Sequence, residues 1–356
     1  MVSWSVIATT KDKGVSRSNT VETQHEEMIH DAQIDYYGKR LATCSSDKTI
    51  RVFDLVDGEA KGEPDILRGH TAPIWQLSWA HPSFGPILAS ASYDGKVFIW
   101  KEKGRAALGA PSTSASKASG KAAVAAAGGK GDRWEVIKEH GLHGASVNSV
   151  AWAPFELGPM LACASSDSKV SVITFNNDGS SDAFICSAHP MGATSVSWAP
   201  SIVPGSLNKP NATSVQAQQF GQDRQRRFVT GGCDSKVKIW GWRDESKEWT
   251  VEDVIDKHTD WVRDVAWAPN IGLPTAYIAS CSQDRTVLIH SRSSPTSPWQ
   301  TTSLLPPGET FPDALWRVSW SLAGNVLAVS GGDGKVSLWK EKGGGEAWEC
   351  VSEMSA

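Results

Sequence analysis

The sequence has little of what membranes, nucleic acids or catalysis demand. No apolar run in its 356 residues approaches the roughly 20 needed to cross a bilayer. The N-terminal MVSWSVIATTKDKGVSRSN carries neither a basic leader nor a long hydrophobic stretch, so a cytosolic or nuclear location is expected. Positive charge is not in excess: 35 Lys and Arg against 39 Asp and Glu leave a formal net charge of -4. That balance gives no global attraction to nucleic acid or to an anionic membrane, and points to protein as the partner. The six cysteines show no CxxC spacing, and no HxxxH pair occurs, so no zinc site is expected. A GxSxG motif is missing and no pair of carboxylates reads as lining a cleft, and the glycine pairs Gly231-Gly232 and Gly331-Gly332 end strands with no helix after them, which excludes a phosphate cradle. No catalytic residue, metal ligand or cofactor is expected.

Aromatic residues and turn formers are plentiful: 17 Trp, 32 Gly and 18 Pro. The aromatics recur at a fixed spacing, which is the mark of a repeat architecture. Six segments read LATCSSDKTIRVF, LASASYDGKVFIW, LACASSDSKVSVI, FVTGGCDSKVKIW, IASCSQDRTVLIH and LAVSGGDGKVSLW. Each is a small-residue strand, a tight turn with aspartate, and an alternating strand, as in Lys96-Val97-Phe98-Ile99-Trp100. The turn aspartates are Asp47, Asp94, Asp167, Asp234, Asp284 and Asp333. Subtracting their numbers gives spacings of 47, 73, 67, 50 and 49, a unit of somewhat under fifty residues lengthened twice by insertion.

A further strand precedes each aspartate, ending at Tyr36, Trp79, Trp152, Trp198, Trp267 and Trp320. Four of these lie nine residues after a histidine: His70, His143, His189 and His258. Trp249, Trp299 and Trp348 lie nine residues after Trp240, His290 and Trp339 and mark a fourth strand. Most tryptophans are read as wedges between stacked sheets, where a large ring buries much area.

Four-stranded units of this period, with histidine before the first strand and aspartate in the second turn, resemble WD-repeat β-propellers over about residues 27–352. The fold class is therefore read as all-β, a six-bladed WD-repeat β-propeller, with blades near 27–69, 70–140, 141–188, 189–257, 258–306 and 307–352. In that family His, Ser or Thr, Asp and Trp of one blade form a hydrogen-bonded chain. Blade two matches with His70, Ser90, Asp94 and Trp100, and blade four with His189, Thr230, Asp234 and Trp240. Blade three has Cys163 and Ile173 in place of Ser and Trp, blade five keeps Ser280 with His290 replacing Trp, and blade six keeps only Asp333 and Trp339. Blade one places Glu27 where histidine belongs, because His30 stands too near Tyr36.

Residues 1–26 are read as a flexible leader, and 104–131 and 205–226 as disordered insertions, the latter ending near the basic cluster Arg224, Arg226 and Arg227. Cys44, Cys163, Cys233 and Cys281 fall in the second strands as buried thiols. Equivalent positions of successive blades lie roughly 10 Å apart, too far for disulfides.

The first propeller strand is read as Asp31–Tyr36 and the last as Ala347–Val351, so each blade comes from one continuous stretch and no strand is left to latch the first unit to the last. The run Val2–Ala8 has strand character and is the alternative filler of that gap in cis, set below a dispensable extension because polar sequence separates it from blade one. The stretches HDAQIDYYGKRLATCSSDKTIRVFD, LASASYDGKVFIWKE, HGASVNSVAWAPFELGPMLACASSDSKVSV, DWVRDVAWAP and FPDALWRVSWSLAGNVLAVSGGDGKVSLWKE are similar to the small WD-repeat subunit family shared by the COPII vesicle outer coat and the nuclear pore Y-complex.

What this resemblance implies is a non-enzymatic scaffold. It is an open propeller completed in trans by a blade from an α-solenoid coat subunit of COPII or an α-solenoid nucleoporin. Membrane contact is then indirect, through the coat, with no direct nucleic acid. The implied locations are the cytoplasm, the cytoplasmic face of the endoplasmic reticulum and its COPII vesicles, and the nuclear pore. Ile34, Tyr36, Trp316, Trp320 and Trp348 are the residues expected at the partner-facing gap. The rival reading is a peptide- or substrate-recognition adaptor such as a ubiquitin ligase receptor, for which Arg263 and Arg317 are scattered candidates. A propeller hydrolase has only the isolated Asp264 and Asp313 to offer.

Overall fold

The computed structural model describes residues 5–6, 19–103, 133–176, 178–202, 225–269, 275–294, 297–342 and 347–355. It divides into two compact units, Met1–Gly141 and Leu142–Ala356. The fold is all-β, a six-bladed β-propeller in which every blade is a four-stranded antiparallel sheet of consecutive strands.

The first unit begins with β1 (Ser5–Val6), which pairs with β2 (Asn19–Thr20) as a separate two-stranded sheet. Blade one is β3 (Ile29–Ile34), β4 (Arg40–Ser45), β5 (Thr49–Val56) and β6 (Glu59–Arg68). Blade two is β7 (Ile74–Trp79), β8 (Ile87–Ser92), β9 (Val97–Glu102) and β10 (Trp134–His140).

The second unit holds four blades. Blade three is β11 (Val147–Trp152), β12 (Met160–Ser165), β13 (Lys169–Phe175) and β14 (Ser181–Ser187). Blade four is β15 (Ala193–Trp198), β16 (Arg227–Gly232), β17 (Lys236–Arg243) and β18 (Glu248–Asp256). Blade five is β19 (Val262–Trp267), β20 (Ala276–Ser282), β21 (Val287–Arg292) and β22 (Gln300–Ser303). Blade six is β23 (Leu315–Trp320), β24 (Val326–Gly331), β25 (Lys335–Lys342) and β26 (Ala347–Ser355). Below, strands a to d follow this order within each blade.

The b strands consist of small residues because both their faces are covered. Ala89, Ser90, Ala91 and Ser92 of blade two are fully buried, as are Ala162, Cys163, Ala164 and Ser165 of blade three. Small side chains let the flanking sheets approach, and the larger c-strand residues such as Val97 and Ile99 fill the remaining volume. The d strands are wetter, β6, β14 and β18 each carrying more exposed than buried residues, as rim strands do.

The b–c turns explain the recurring aspartate. In all six, its Oδ1 accepts the amide two residues on, at 2.9–3.3 Å: Thr49, Lys96, Lys169, Lys236, Thr286 and Lys335. The residue between adopts positive φ, at Lys48, Gly95, Ser168, Ser235, Arg285 and Gly334. That is the three-residue hairpin loop closed by a left-handed position.

Three expectations need correction. Strand a of blade one ends at Ile34, not Tyr36, which lies in the following turn and is 69% exposed. The aromatic drew the reading two residues too far. Asp35 starts this turn, its Oδ1 accepting the amides of Lys39 and Arg40 at 2.7 and 3.1 Å. Cys233 stands one residue beyond β16, in the turn, and is half-buried. Arg227 is the first residue of β16, paired with Glu252 at 2.6 Å, and Arg226 lies over the Trp242 ring, so neither belongs to a solvated basic loop. Most of the expected leader, nearly all of both insertions and Arg224 lie outside the described residues.

Candidate functional site

His70 shows how a blade is tied together. Its Nδ1 donates to Asp94 Oδ2 at 2.9 Å, which leaves Nε2 as an acceptor. Ser90 Oγ donates to that nitrogen at 2.8 Å and accepts the Trp100 indole N–H at 2.9 Å. The His70 ring stacks on Phe98, centroids 4.2 Å apart. Gly69 permits this: a Cβ there would meet Phe98 Cε2 at 2.8 Å. Burial raises the Asp94 carboxyl, but the His70 hydrogen bond, the electrostatic attraction of that ring and the amides of Thr71 and Lys96 outweigh burial and hold it at about 2. Blade four repeats the chain, His189 to Asp234 at 2.7 Å, Thr230 to His189 at 2.9 Å and Trp240 to Thr230 at 2.9 Å.

Ser, His and Asp in this order resemble a hydrolytic triad, and the geometry rules that out. Ser90 Oγ is shared between two ring nitrogens inside a residue with no exposed surface, so no substrate reaches it and no proton is free to move. The chains are struts.

The degenerate blades keep the strut by other atoms. In blade one the histidine is His25, not Glu27: Nδ1 bonds Asp47 at 2.7 Å and Nε2 bonds Thr43 Oγ1 at 2.9 Å. His25 stands nine residues before Ile34, so the spacing seen in the other blades holds once the strand end is placed correctly. In blade three His143 bonds Asp167 at 3.0 Å, and Ser171 of strand c takes the place of Cys163 at 2.9 Å. In blade five Ser280 bonds His258 at 2.8 Å and His290 at 2.9 Å, and His290 Nδ1 meets Thr301 Oγ1 at 3.0 Å. Burial, with the charge of His258 added, lowers the His290 pKa to about 3 and keeps that ring neutral. Blade six has no histidine link: Phe311 stands nine residues before Trp320 and meets the Trp339 ring edge-on at 6.0 Å.

Successive blades within a unit are joined by their a strands. Trp79 Nε1 donates to Gln33 O at 3.0 Å, Trp198 to Ala151 O at 2.8 Å and Trp320 to Ala266 O at 3.0 Å. Three residues before each strand end an oxygen accepts the amide of the next blade: Asp31 from Leu77, Ser149 from Val196, Ser195 from Val265 and Asp264 from Val318, at 2.9–3.2 Å. Asp264 is thus a buried joint, not a catalytic acid. Its Oδ1 also accepts Ser195 Oγ at 2.6 Å, and burial raises its carboxyl although Arg317 and these hydrogen bonds oppose it. Asp313 accepts the amide of Ala314 at 2.7 Å.

The residues expected at a partner-facing gap separate. Ile34 and Tyr36 are 39% and 69% exposed. The other three turn to blade five, which corrects their assignment: Trp320 and Trp348 both lie 6.2 Å from Tyr277, and Trp316 lies over Arg263. The reason is register, since an a-strand tryptophan leans on the preceding blade. The opposite face of blade six was not singled out from sequence. Ala279, Cys281, Val287 and Ile289 of blade five are at most 2% exposed, and the matching b- and c-strand positions of blades one to four are buried too. Their counterparts in blade six, Ala328, Ser330, Val336 and Leu338, are only half-buried.

The family model for WD domain, G-beta repeat matches residues 17–54, 63–101, 249–291 and 306–340. A curated relative from Cryptococcus neoformans var. neoformans serotype D, described as protein transport protein SEC13, is 61% identical over 347 residues, covering 96% of this chain and 98% of its own. A relative of the same description from Mycosarcoma maydis is 53% identical over 353 residues, 96% of each chain. Another from Emericella nidulans is 48% identical over 330 residues, 93% of this chain and 96% of its own.

Proposed function

This chain belongs to the SEC13 family, a non-enzymatic WD-repeat family, and on that premise we propose that it is a structural subunit of protein transport. It serves as a rigid wedge in the COPII vesicle coat and in the nuclear pore outer ring, bound to an α-solenoid partner that donates a further blade. The observation that carries this reading is the 61% identity over nearly the whole of both chains.

Two structural features support the donated blade. Every sheet is made of consecutive strands, and among the described residues β26 pairs only with β25 and blade six takes no strand from another blade. The half-buried Ala328, Ser330, Val336 and Leu338 present a sheet face of the kind that is buried in the other five blades. Covering such a face contributes about 25 cal/mol per Å² of apolar area before the costs of association. The struts and joints described above give the stiffness that a curvature-imposing coat requires. Peripheral membrane association follows through the coat, consistent with no helix of the described residues being long and apolar enough to span a bilayer.

The test is co-expression with the α-solenoid subunit of the coat. The expected result is a stable complex of equal stoichiometry, weakened by Leu338→Arg and Val336→Glu. A monodisperse monomer that ignores the solenoid subunit overturns the proposal.

A further inference from the structure

Every a strand opens with a bulge, between Ile29 and Asp31, Ile74 and Gln76, Val147 and Ser149, Ala193 and Ser195, Val262 and Asp264, and Leu315 and Arg317. The residue left out of the ladder is His30, Trp75, Asn148, Thr194, Arg263 or Trp316, and a bulge re-aims such a side chain away from its sheet. In the second unit, Asn148 Nδ2 donates to Ala193 O at 2.8 Å and Thr194 Oγ1 to Val262 O at 2.6 Å. These two are absorbed in joining one blade to the next.

Arg263 and Trp316 are different. The Arg263 guanidinium lies 5.1 Å from the Trp261 ring and 4.8 Å from the Trp316 ring, held between two indoles. Its Nη2 donates to Gln283 Oε1, and its Nε is buried with no hydrogen-bond partner among the described residues. Both indoles remain open, Trp261 at 40% and Trp316 at 49% exposure. An arginine already stacked and fixed loses little rotamer entropy on binding, and its planar fork matches a carboxylate. Exposed indoles beside it offer area to an aromatic or aliphatic neighbour, the side-chain pairing that dominates recognition hot spots.

The Arg263 guanidinium between the two indoles is a single cation with a planar fork, the geometry that pairs with one carboxylate. We propose that Trp261, Arg263 and Trp316 form a docking site for a short acidic and aromatic peptide segment of another protein, an Asp or Glu carboxylate on Arg263 and the adjacent aromatic ring on the two indoles. This does not depend on the coat reading, because the site uses the bulge end of blades five and six and not the half-buried face of blade six.

The test is fluorescence polarisation of the full chain with a fluorescein-labelled peptide Gly-Ser-Asp-Phe-Glu-Phe-Asp-Gly, its amide counterpart with Asn and Gln, and a version with phosphoserine replacing the acidic residues. The expected result is saturable, salt-sensitive binding of the acidic peptide, about tenfold weaker with the amide peptide, with Arg263→Lys and with Trp316→Ala. Lys96→Ala leaves it unchanged. Circular dichroism melting of Arg263→Lys shows that the fold is retained. No saturable binding, equal affinity for the amide peptide, an unaffected Arg263→Lys, or preference for the phosphopeptide each overturns the proposal.

Discussion

Ser171 Oγ lies 2.9 Å from His143 Nε2, so in blade three the hydroxyl that completes the strut comes from strand c. Its direct cross-strand partner is Cys163, the residue occupying the strand b position used by Ser90 in blade two. The polar function has moved across one rung of the ladder.

Ser171→Ala is expected to cost about 1–2 kcal/mol, because His143 Nε2 loses its partner inside the blade. Adding Cys163→Ser restores a hydroxyl at the other side of the same rung and recovers most of the loss. A double-mutant cycle by urea unfolding checks this; additive effects would show that the two positions do not share the role.

Ser90→Ala should be the more damaging change, about 2–4 kcal/mol, since one deletion strands both His70 and the Trp100 indole N–H. Denaturant midpoints at constant slope measure it. A loss no greater than that of Ser171→Ala would contradict the shared hydroxyl.

His290 makes blade five sensitive to mild acid. Burial holds its folded pKa at about 3, against about 6.5 for an unfolded histidine. The stability it contributes is full above pH 6.5 and is lost as the pH falls toward 3, because only the unfolded chain takes up the proton in that window. The turn aspartates act lower: with Asp94 held at about 2, its contribution is complete above pH 4 and disappears between about pH 4 and 2. His290→Gln is expected to lower the melting temperature at pH 7.5 and to flatten its decline between pH 6.5 and 4. An unchanged slope would show that His290 is not the titrating group.

Asp264→Asn removes one of two acceptor oxygens from a buried site. Oδ1 accepts Ser195 Oγ and the Val265 amide, and Oδ2 accepts the Val318 amide, so the Asn N–H₂ group must face a donor. A loss of about 2–4 kcal/mol is expected. Hydrogen exchange should quicken first at Val265 and Val318; faster exchange confined to blade one would refute the joint.

The blades were legible because their signals are local. The turn aspartate, the alternating strand after it and the nine-residue histidine spacing are short-range consequences of one hairpin geometry. Blade one misled because Tyr36 looks like the strand-ending aromatic while Ile34 occupies its place, and that error hid His25. Ser171 was invisible for another reason: which face a strand c hydroxyl takes, and what lies opposite, is fixed by pairing register. The Asp31, Ser149, Ser195 and Asp264 series stands 46, 47, 70 and 54 positions from the amides it serves and is split between Asp and Ser, so no short-range pattern marks it. Trp316, Trp320 and Trp348 were recognised as important but assigned to the wrong side, since composition does not say toward which neighbour a ring leans.

That acceptor series also has a direction. Each member hands an oxygen forward to the amide of the blade that follows it in the chain, and at the same register position of blade six stands Arg317, whose side chain holds only donors. A polypeptide laid beside β23 as the next sheet must therefore furnish its own oxygen for that amide, which makes the end of the series selective for what it will receive.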